Sequence, residues 1–301
     1  MTGFILIIIT SFVFGGLIIR TKSLLSGRKG PEILQPIKGI IKLLRKGSVY
    51  SNNSTFIFRI APTVSLASVI TAAILIPFGN ECGLISFKGD FVLFVYLLAT
   101  GKFFMIIAAL DTGSSFEGMG ASRESLFSML AEPAFFILMG SLSLLTGYTS
   151  FYDIFSSLHY GSYISYFLSA MAASVLAFIA IIENSRMPVD DPKTHLELTM
   201  VHEVMVLDYS GFDLGLIKYT SYFKFAVYGG IISNLFLGAA PIYISIPVFM
   251  ITQILFAVFV GIMESFTARF RMNHNPQFIL ALSSVALLIF FGVLLALDRF
   301  N

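Results

Sequence analysis

Eight apolar stretches of about twenty residues each govern what this chain can fold into. They lie near 2–19, 60–78, 91–110, 125–147, 161–182, 221–239, 242–263 and 278–297. A helix of that length matches the hydrocarbon thickness of a bilayer and satisfies its own backbone there. The pattern predicts an all-α, polytopic membrane protein with about eight transmembrane helices, forming one integral membrane domain over 1–301. The charged fraction is 12%, about half that of a soluble domain. With 32 Phe and no Trp, the interfacial anchors must be Tyr, Lys and Arg. The first run lacks a positive region before it and a small-residue cleavage site after it, so it reads as a retained helix. No internal repeat is visible, which argues against a self-standing inverted-repeat transporter. The single cysteine, Cys82, leaves no internal disulfide, zinc site or Cys-ligated cluster.

Lys and Arg set the expected orientation. The segments 20–59, 111–124, 183–220 and 264–277 carry nine, one, three and two of them, and the opposite loops carry only Lys88 and Arg299. The richer segments are expected on the cytoplasmic side of the plasma membrane of a prokaryote, with both termini outside. Within the first of these loops, "EILQPIKGIIKLLRK" puts Ile33, Ile37, Ile40, Ile41 and Leu44 on one helical face and Lys38, Lys42, Arg45 and Lys46 on the other. That is an interfacial amphipathic helix. It serves either as a lipid-headgroup anchor or, with Arg28 and Lys42, as a docking surface for a soluble partner.

The loop from 183 to 213 inverts the charge pattern: seven acids stand against Arg186 and Lys193, a net of −5. Pro188 and Pro192 keep "SRMPVD" out of a continuous helix. Asp191 is the expected N-cap of a helix over about 192–207, with Pro192 at its first position. His195, Thr199 and His202 then share a face with Glu203 nearby. A zinc-protease reading fails, because the residue that should be the second His after His202-Glu203 is Val206. A free solvated loop is at odds with the apolar content of "HLELTMVHEVMVL". The remaining reading is a proton-titrating path. Charges inside the apolar runs support it: Glu132 beside Pro133, Lys102 and Lys224, with Asp111, Glu183 and Glu264 at run ends. The alternative for the two lysines is a structural ion pair with one of these acids. Nothing resembles a phosphate loop, a Ser-His-Asp arrangement or a nucleic-acid motif.

"ENSRMPVDDPKTHLELTMVHEVMVLDYSG" resembles the E-x-x-R-x-P-x-D-x-P…E-L…E-Y-S-G signature of the membrane H subunit of respiratory complex I and its relatives. "GRKGPEILQPIKGIIKLL" resembles that family's first inner loop. "GMGASRESLFSMLAEPAFF" resembles the segment in which a Gly-Ala-x-Arg run leads to a Glu, and "ESFTARFRMNHNPQF" resembles its last inner loop. Quinone-reducing members read P-F-D-L where this chain has Pro188-Val189-Asp190-Asp191. That wording, and the extended "HEVMVLDYSG", resemble most the membrane subunits of group 4 [NiFe] hydrogenases, including membrane-bound and energy-converting hydrogenases and formate hydrogenlyase. Many members carry an acid where this chain has Gly39, and a Glu where Gly47 follows Lys46. These departures weaken a quinone-cavity role.

The resemblance implies a non-catalytic membrane subunit, with no catalytic residue, metal or cofactor of its own. It would anchor a soluble arm whose large and small hydrogenase-type subunits and iron-sulfur subunit hold the [NiFe] centre and clusters. It would couple electron transfer there to proton or sodium movement through antiporter-like membrane subunits in the lipid bilayer. On this reading the proton path holds Glu132, Glu183, Asp190, Asp191, Glu197, Glu203, Asp208, Lys102 and Glu264. The redox-arm interface holds Arg186, Pro188, His195, His202, Arg28 and Lys42. The alternatives are a quinone-binding subunit of an NADH:quinone-type dehydrogenase and a subunit of the sister branch, the sulfane-sulfur reductases.

Overall fold

A computed structural model of the chain describes residues 1–158, 163–191 and 200–297. The described residues form helices α1 (Thr2–Leu25), α2 (Gln35–Leu44), α3 (Phe56–Ile74), α4 (Asp90–Asp111), α5 (Ser115–Thr146), α6 (Phe151–Ser157), α7 (Tyr163–Glu183), α8 (His202–Met205), α9 (Gly211–Leu237), α10 (Ile242–Phe266) and α11 (Asn275–Ala296), with a single 3-10 turn at Met272–His274. The molecule is an all-α, multi-pass membrane protein. Helices α3 and α4 form an antiparallel hairpin, α1 packs on α10, and α5 packs on α11. Helix α9 sits among α1, α2, α3, α7 and α10.

Seven helices among the described residues are long and apolar enough to cross a bilayer. The eighth expected span, 221–239, falls in α9, which at 27 residues is long enough but is not one of the seven. Its sequence carries Asp213, Lys218, Lys224 and Asn234. The bundle tolerates them because eighteen of the 27 residues are buried against protein rather than lipid. Phe14, Phe225 and Phe256 join α1, α9 and α10, with ring centroids 5.2–6.1 Å apart.

Helix α5 is longer than its apolar run. Its 32 residues span about 48 Å against a hydrocarbon core of about 30 Å. The added polar stub, "SFEGMGASRE", buries Glu117, Gly120, Ala121 and Glu124 against the chain around α8. Two features of the local structure differ from expectation. Residues 192–199 lie outside the described residues, and of the helix expected over 192–207 only the turn His202–Met205 is helical among the rest. Its start is held from a distance: the Asp190 carboxylate accepts the backbone N–H groups of Val201 (3.2 Å) and His202 (3.0 Å). Capping from eleven residues upstream leaves no need for a longer helix to satisfy those donors. Helix α2 is amphipathic as expected, yet its apolar face covers α9 rather than lying free. Ile40 is buried and Leu43 and Leu44 abut Gly215, while Ile41 stays exposed.

Two glycines are required by close approach. A Cβ on Gly16 of α1 would collide with the Ile33 carbonyl oxygen, and one on Gly261 of α10 would stand 2.5 Å from Thr21 Oγ1 of α1. At the far end of the bundle the buried Asp90 accepts the Phe151 N–H (2.7 Å) and the Ser150 hydroxyl (3.1 Å), starting α6, a short helix that the hydrophobic pattern does not reveal.

Candidate functional site

Four helices bring charge to one point inside the bundle. Lys102 of α4 places its ammonium 3.2 Å from Glu124 Oε1 of α5 and 3.0 Å from Glu183 Oε2 at the end of α7. Lys224 of α9 stands 3.9 Å from the same Glu183 oxygen and donates to the Glu183 backbone carbonyl at 3.4 Å. The second oxygen of Glu124 accepts the Ser185 hydroxyl at 2.8 Å. These side chains are at most 12% exposed. Two cations thus balance two carboxylates where unpaired charge would be costly. Sequence reasoning missed Glu124. The available signal was the stripe Glu124–Ser128–Glu132 on α5, polar residues at i, i+4 and i+8 inside an apolar helix. Ser128 Oγ in that stripe is buried without a hydrogen-bond partner among the described residues.

Three cavities with charged side chains among apolar walls lie along the cluster. The largest, about 220 Å³, opens between α1, the 184–186 turn, α8 and α9, with Lys22, Arg186, His202, Glu203 and Glu264 among its walls. The next, about 40 Å³, is lined by Lys102, Glu124, Glu183 and Lys224, and shares Asn184, His202, Ile217 and Ser221 with the first. The innermost, about 20 Å³, shares Lys102 and Glu183 with the second and reaches Glu132 and Tyr228. One water needs about 10–15 Å³ together with polar partners, so both inner cavities admit water. Glu132 is half-buried and has no ion pair among the described residues, and the neighbouring Pro133 is exposed on the bundle surface.

A second ion cluster closes the outer cavity. Glu264 of α10 is gripped by Lys22 of α1 at 2.7 Å and by Arg186 at 3.1 Å. Arg186 also lies over the Phe225 ring, 5.6 Å from its centroid. The Met187–Pro188 peptide is cis, and the Pro188 carbonyl accepts the Phe270 N–H at 3.0 Å. Asp190 is 1% exposed and fully occupied: Arg269 Nη2 lies 2.7 Å from Oδ1, Asp191 N–H donates to the same oxygen, and Oδ2 caps the start of α8. Arg123 of α5 donates to the Met200 carbonyl at 3.0 Å. The segment around α8 is therefore stapled on both sides.

The residues expected from sequence divide accordingly. Lys102, Glu132, Glu183 and, at the outer cavity, Glu203, His202, Arg186 and Glu264 line a row of neighbouring cavities that share wall residues. Asp190 and Asp191 lie beside that set, in the staple. Asp208 is exposed and gives its backbone N–H to the buried Glu117, 3.1 Å away. Pro188 is buried, while Arg28 and Lys42 are exposed. His195 and Glu197 lie outside the described residues. Close to Asp208, the Tyr50 hydroxyl donates to Asp213 Oδ2 at 2.7 Å, which pushes the phenol above its usual value. Among the described residues no three His, Cys, Asp or Glu side chains are grouped to hold a metal ion.

Comparison with known proteins gives a consistent picture. The family profile described as NADH dehydrogenase matches residues 1–295. The chain is 27% identical to formate hydrogenlyase subunit 4 of Escherichia coli, covering 90% of both chains. It is 29% identical to hydrogenase-4 component C of the same organism, covering 89% of this chain and 86% of the other. It is 25% identical to the H subunit of the NADH-quinone oxidoreductase of Ralstonia nicotianae over 82% and 75% of the two chains. Among solved structures, a chain of the archaeal membrane-bound sulfane sulfur reductase superposes with a TM-score of 0.80 over 96% of each chain at 18% identity, a likeness of fold.

Proposed function

Since the chain belongs to the NADH dehydrogenase family, we propose that it is a non-catalytic membrane subunit of a hydrogenase-type respiratory complex, coupling electron transfer in a docked soluble arm to ion movement. The observation that carries this reading is the row of three neighbouring cavities, each sharing lining residues with the next, from Glu203 and His202 to Glu132, with Lys102, Glu124, Glu183 and Lys224 at its centre. The longer-spanning matches to formate hydrogenlyase and hydrogenase-4 subunits favour the hydrogenase branch. On this reading the [NiFe] centre and iron-sulfur clusters reside in partner subunits over the basic end, and antiporter-like subunits adjoin the α4–α5 flank at Glu132.

The mechanism is electrostatic. A charge change in the arm alters the protonation of Glu203 and His202 at the outer cavity. Lys102 bridges Glu124 and Glu183, so a proton gained by either acid releases its share of the ammonium to the other. The imbalance is met by Lys224, 3.9 Å away, and by Glu132, which passes a proton on. Asp190, whose acceptor positions are occupied, holds the loop in place, and Glu264 locks α10 to α1 and Arg186. The test is Glu124→Gln and Glu132→Gln in the assembled complex. The expected result is a lost or strongly reduced ion gradient with intact assembly and continuing electron transfer in the arm. Wild-type gradients in both variants would sink the route.

A quinone-linked reading has one observation in its favour, the outer cavity of about 220 Å³. Its walls carry Lys22, Arg186, Glu203, Lys218 and Glu264, which suits water and protons better than an apolar ring. Stoichiometric quinone in lipid extracts of the purified complex would reverse that preference.

A further inference from the structure

Helices α1 and α10 touch closely at Thr21 and Gly261 and part over their last turn. The gap is a groove of about 360 Å³, within the range of small-ligand sites. Its α1 wall is Ile19, Lys22, Ser23 and Ser26, residues at i, i+3, i+4 and i+7 on one face; Ser265 and Phe266 form the α10 wall, and Arg28 closes the end. The groove adjoins the largest of the three cavities, with which it shares Ile19 and Lys22, but its remaining lining residues belong to no other cavity of that row, and it lies at the basic end where two membrane helices finish.

Its charge is one-sided. The charged side chains lining it are Lys22 and Arg28 with no acid among them; Lys22 pairs with Glu264, which is 2% exposed and lies outside the groove lining. Lys22 spends one of its three N–H donors on Glu264. Arg28 is exposed and has no carboxylate partner among the described residues. Beside these cations the groove wall turns apolar and faces outward: Phe266 is 76% exposed and Leu25 46% exposed, at the ends of two helices long and apolar enough to cross a bilayer. A cationic, hydroxyl-rimmed pocket with an adjoining apolar flank, placed at the end of spanning helices, matches the two halves of one molecule.

We propose that this groove is a binding site for an anionic phospholipid, its phosphoryl group held by Arg28 and Lys22 and its acyl chains lying along Leu25 and Phe266. The site assigns Arg28 to lipid rather than to a soluble arm. The two seryl hydroxyls on α1 now donate to helix carbonyls, Ser23 to Ile19 and Ser26 to Ser23, and are free to rotate toward a headgroup.

The test uses the delipidated complex in detergent, titrated with phosphatidylglycerol or phosphatidylcholine and read by native mass spectrometry. One phosphatidylglycerol per subunit is expected to be retained where phosphatidylcholine is not. Arg28→Gln should weaken that retention about fivefold, the effect of one cation at a lipid surface. Ser26→Leu, which fills the groove at an exposed position without changing charge, should abolish it. Lys46→Gln, the same charge loss outside the groove, should leave it unchanged. Four results overturn the proposal: equal retention of the two lipids, an equal effect of Lys46→Gln, displacement of the lipid by millimolar inorganic phosphate, or cross-linking from position 28 to a partner subunit in the native complex.

Discussion

Replacing Lys102 by Gln removes the ammonium that holds two buried carboxylates. At an effective dielectric near 20, unit charges at the Lys102–Glu183 distance of 3.0 Å attract by about 5 kcal/mol, and the Glu124 contact at 3.2 Å is nearly as strong. Desolvation of all three groups offsets much of this, and the share belonging to the two carboxylates remains when the lysine is gone. Breaking a buried pair by deleting one partner costs about 3–5 kcal/mol. Glu183 has a substitute cation in Lys224 at 3.9 Å, whereas Glu124 keeps one hydrogen bond, from the Ser185 hydroxyl, and only more distant basic groups, His202 and Lys224. The penalty therefore falls on Glu124, and Lys102→Gln combined with Glu124→Gln should cost at least about 1 kcal/mol less than Lys102→Gln alone. An SDS titration of the purified subunit in bicelles, followed by fluorescence of its twelve tyrosines in the absence of any tryptophan, measures both variants. If Lys102→Gln costs under about 1 kcal/mol, or the double variant costs the sum of the singles, the four groups do not form a closed, mutually compensated cluster.

Two further outcomes follow from other contacts. Asp190→Asn forfeits the Arg269 ion pair while leaving weak capping of α8, so amide exchange at Val201 and His202 should speed up by tenfold or more with little change in α1 or α10; unchanged protection would remove the staple. The Tyr50 phenol is raised by its hydrogen bond to Asp213, so the link is fully present below the unfolded tyrosine value near 10 and is lost as pH climbs through the higher folded value. The stability advantage of wild type over Tyr50→Phe should therefore hold at neutral pH and vanish under strongly alkaline conditions, and a difference independent of pH would refute it.

The apolar runs made the spans legible because lipid forces length and hydrophobicity to agree. They were least informative where protein, not lipid, surrounds the helix. Helix α9 is polar because it is central, and α5 extends ten residues beyond its apolar run because the stub packs on the α8 segment. At the site, Lys102, Glu132 and Glu183 stood out as charges within or beside spans. Glu124 did not, since it sits in a polar-looking stretch whose burial depends on a segment eighty residues later. Charge counting marked Asp190 and Glu264 as acids near the inner face. Only the partners, Arg269 for one and Lys22 with Arg186 for the other, distinguish a bound acid from a relaying one.

The polarity of α9 bears on how the protein is made. A segment carrying Lys218, Lys224 and Asn234 gains too little from hydrocarbon to leave the insertion machinery as a solitary helix. Lys224 meets Glu183 of α7, and Asn234, besides its donation to Gly230 within α9, meets Pro77 and Gly79 of the α3–α4 connection. These contacts predict an order of assembly in which the N-terminal helices receive α9, so deletion of α7 or of the α3–α4 connection should leave α9 poorly inserted where truncation before α7 leaves the earlier helices in the membrane.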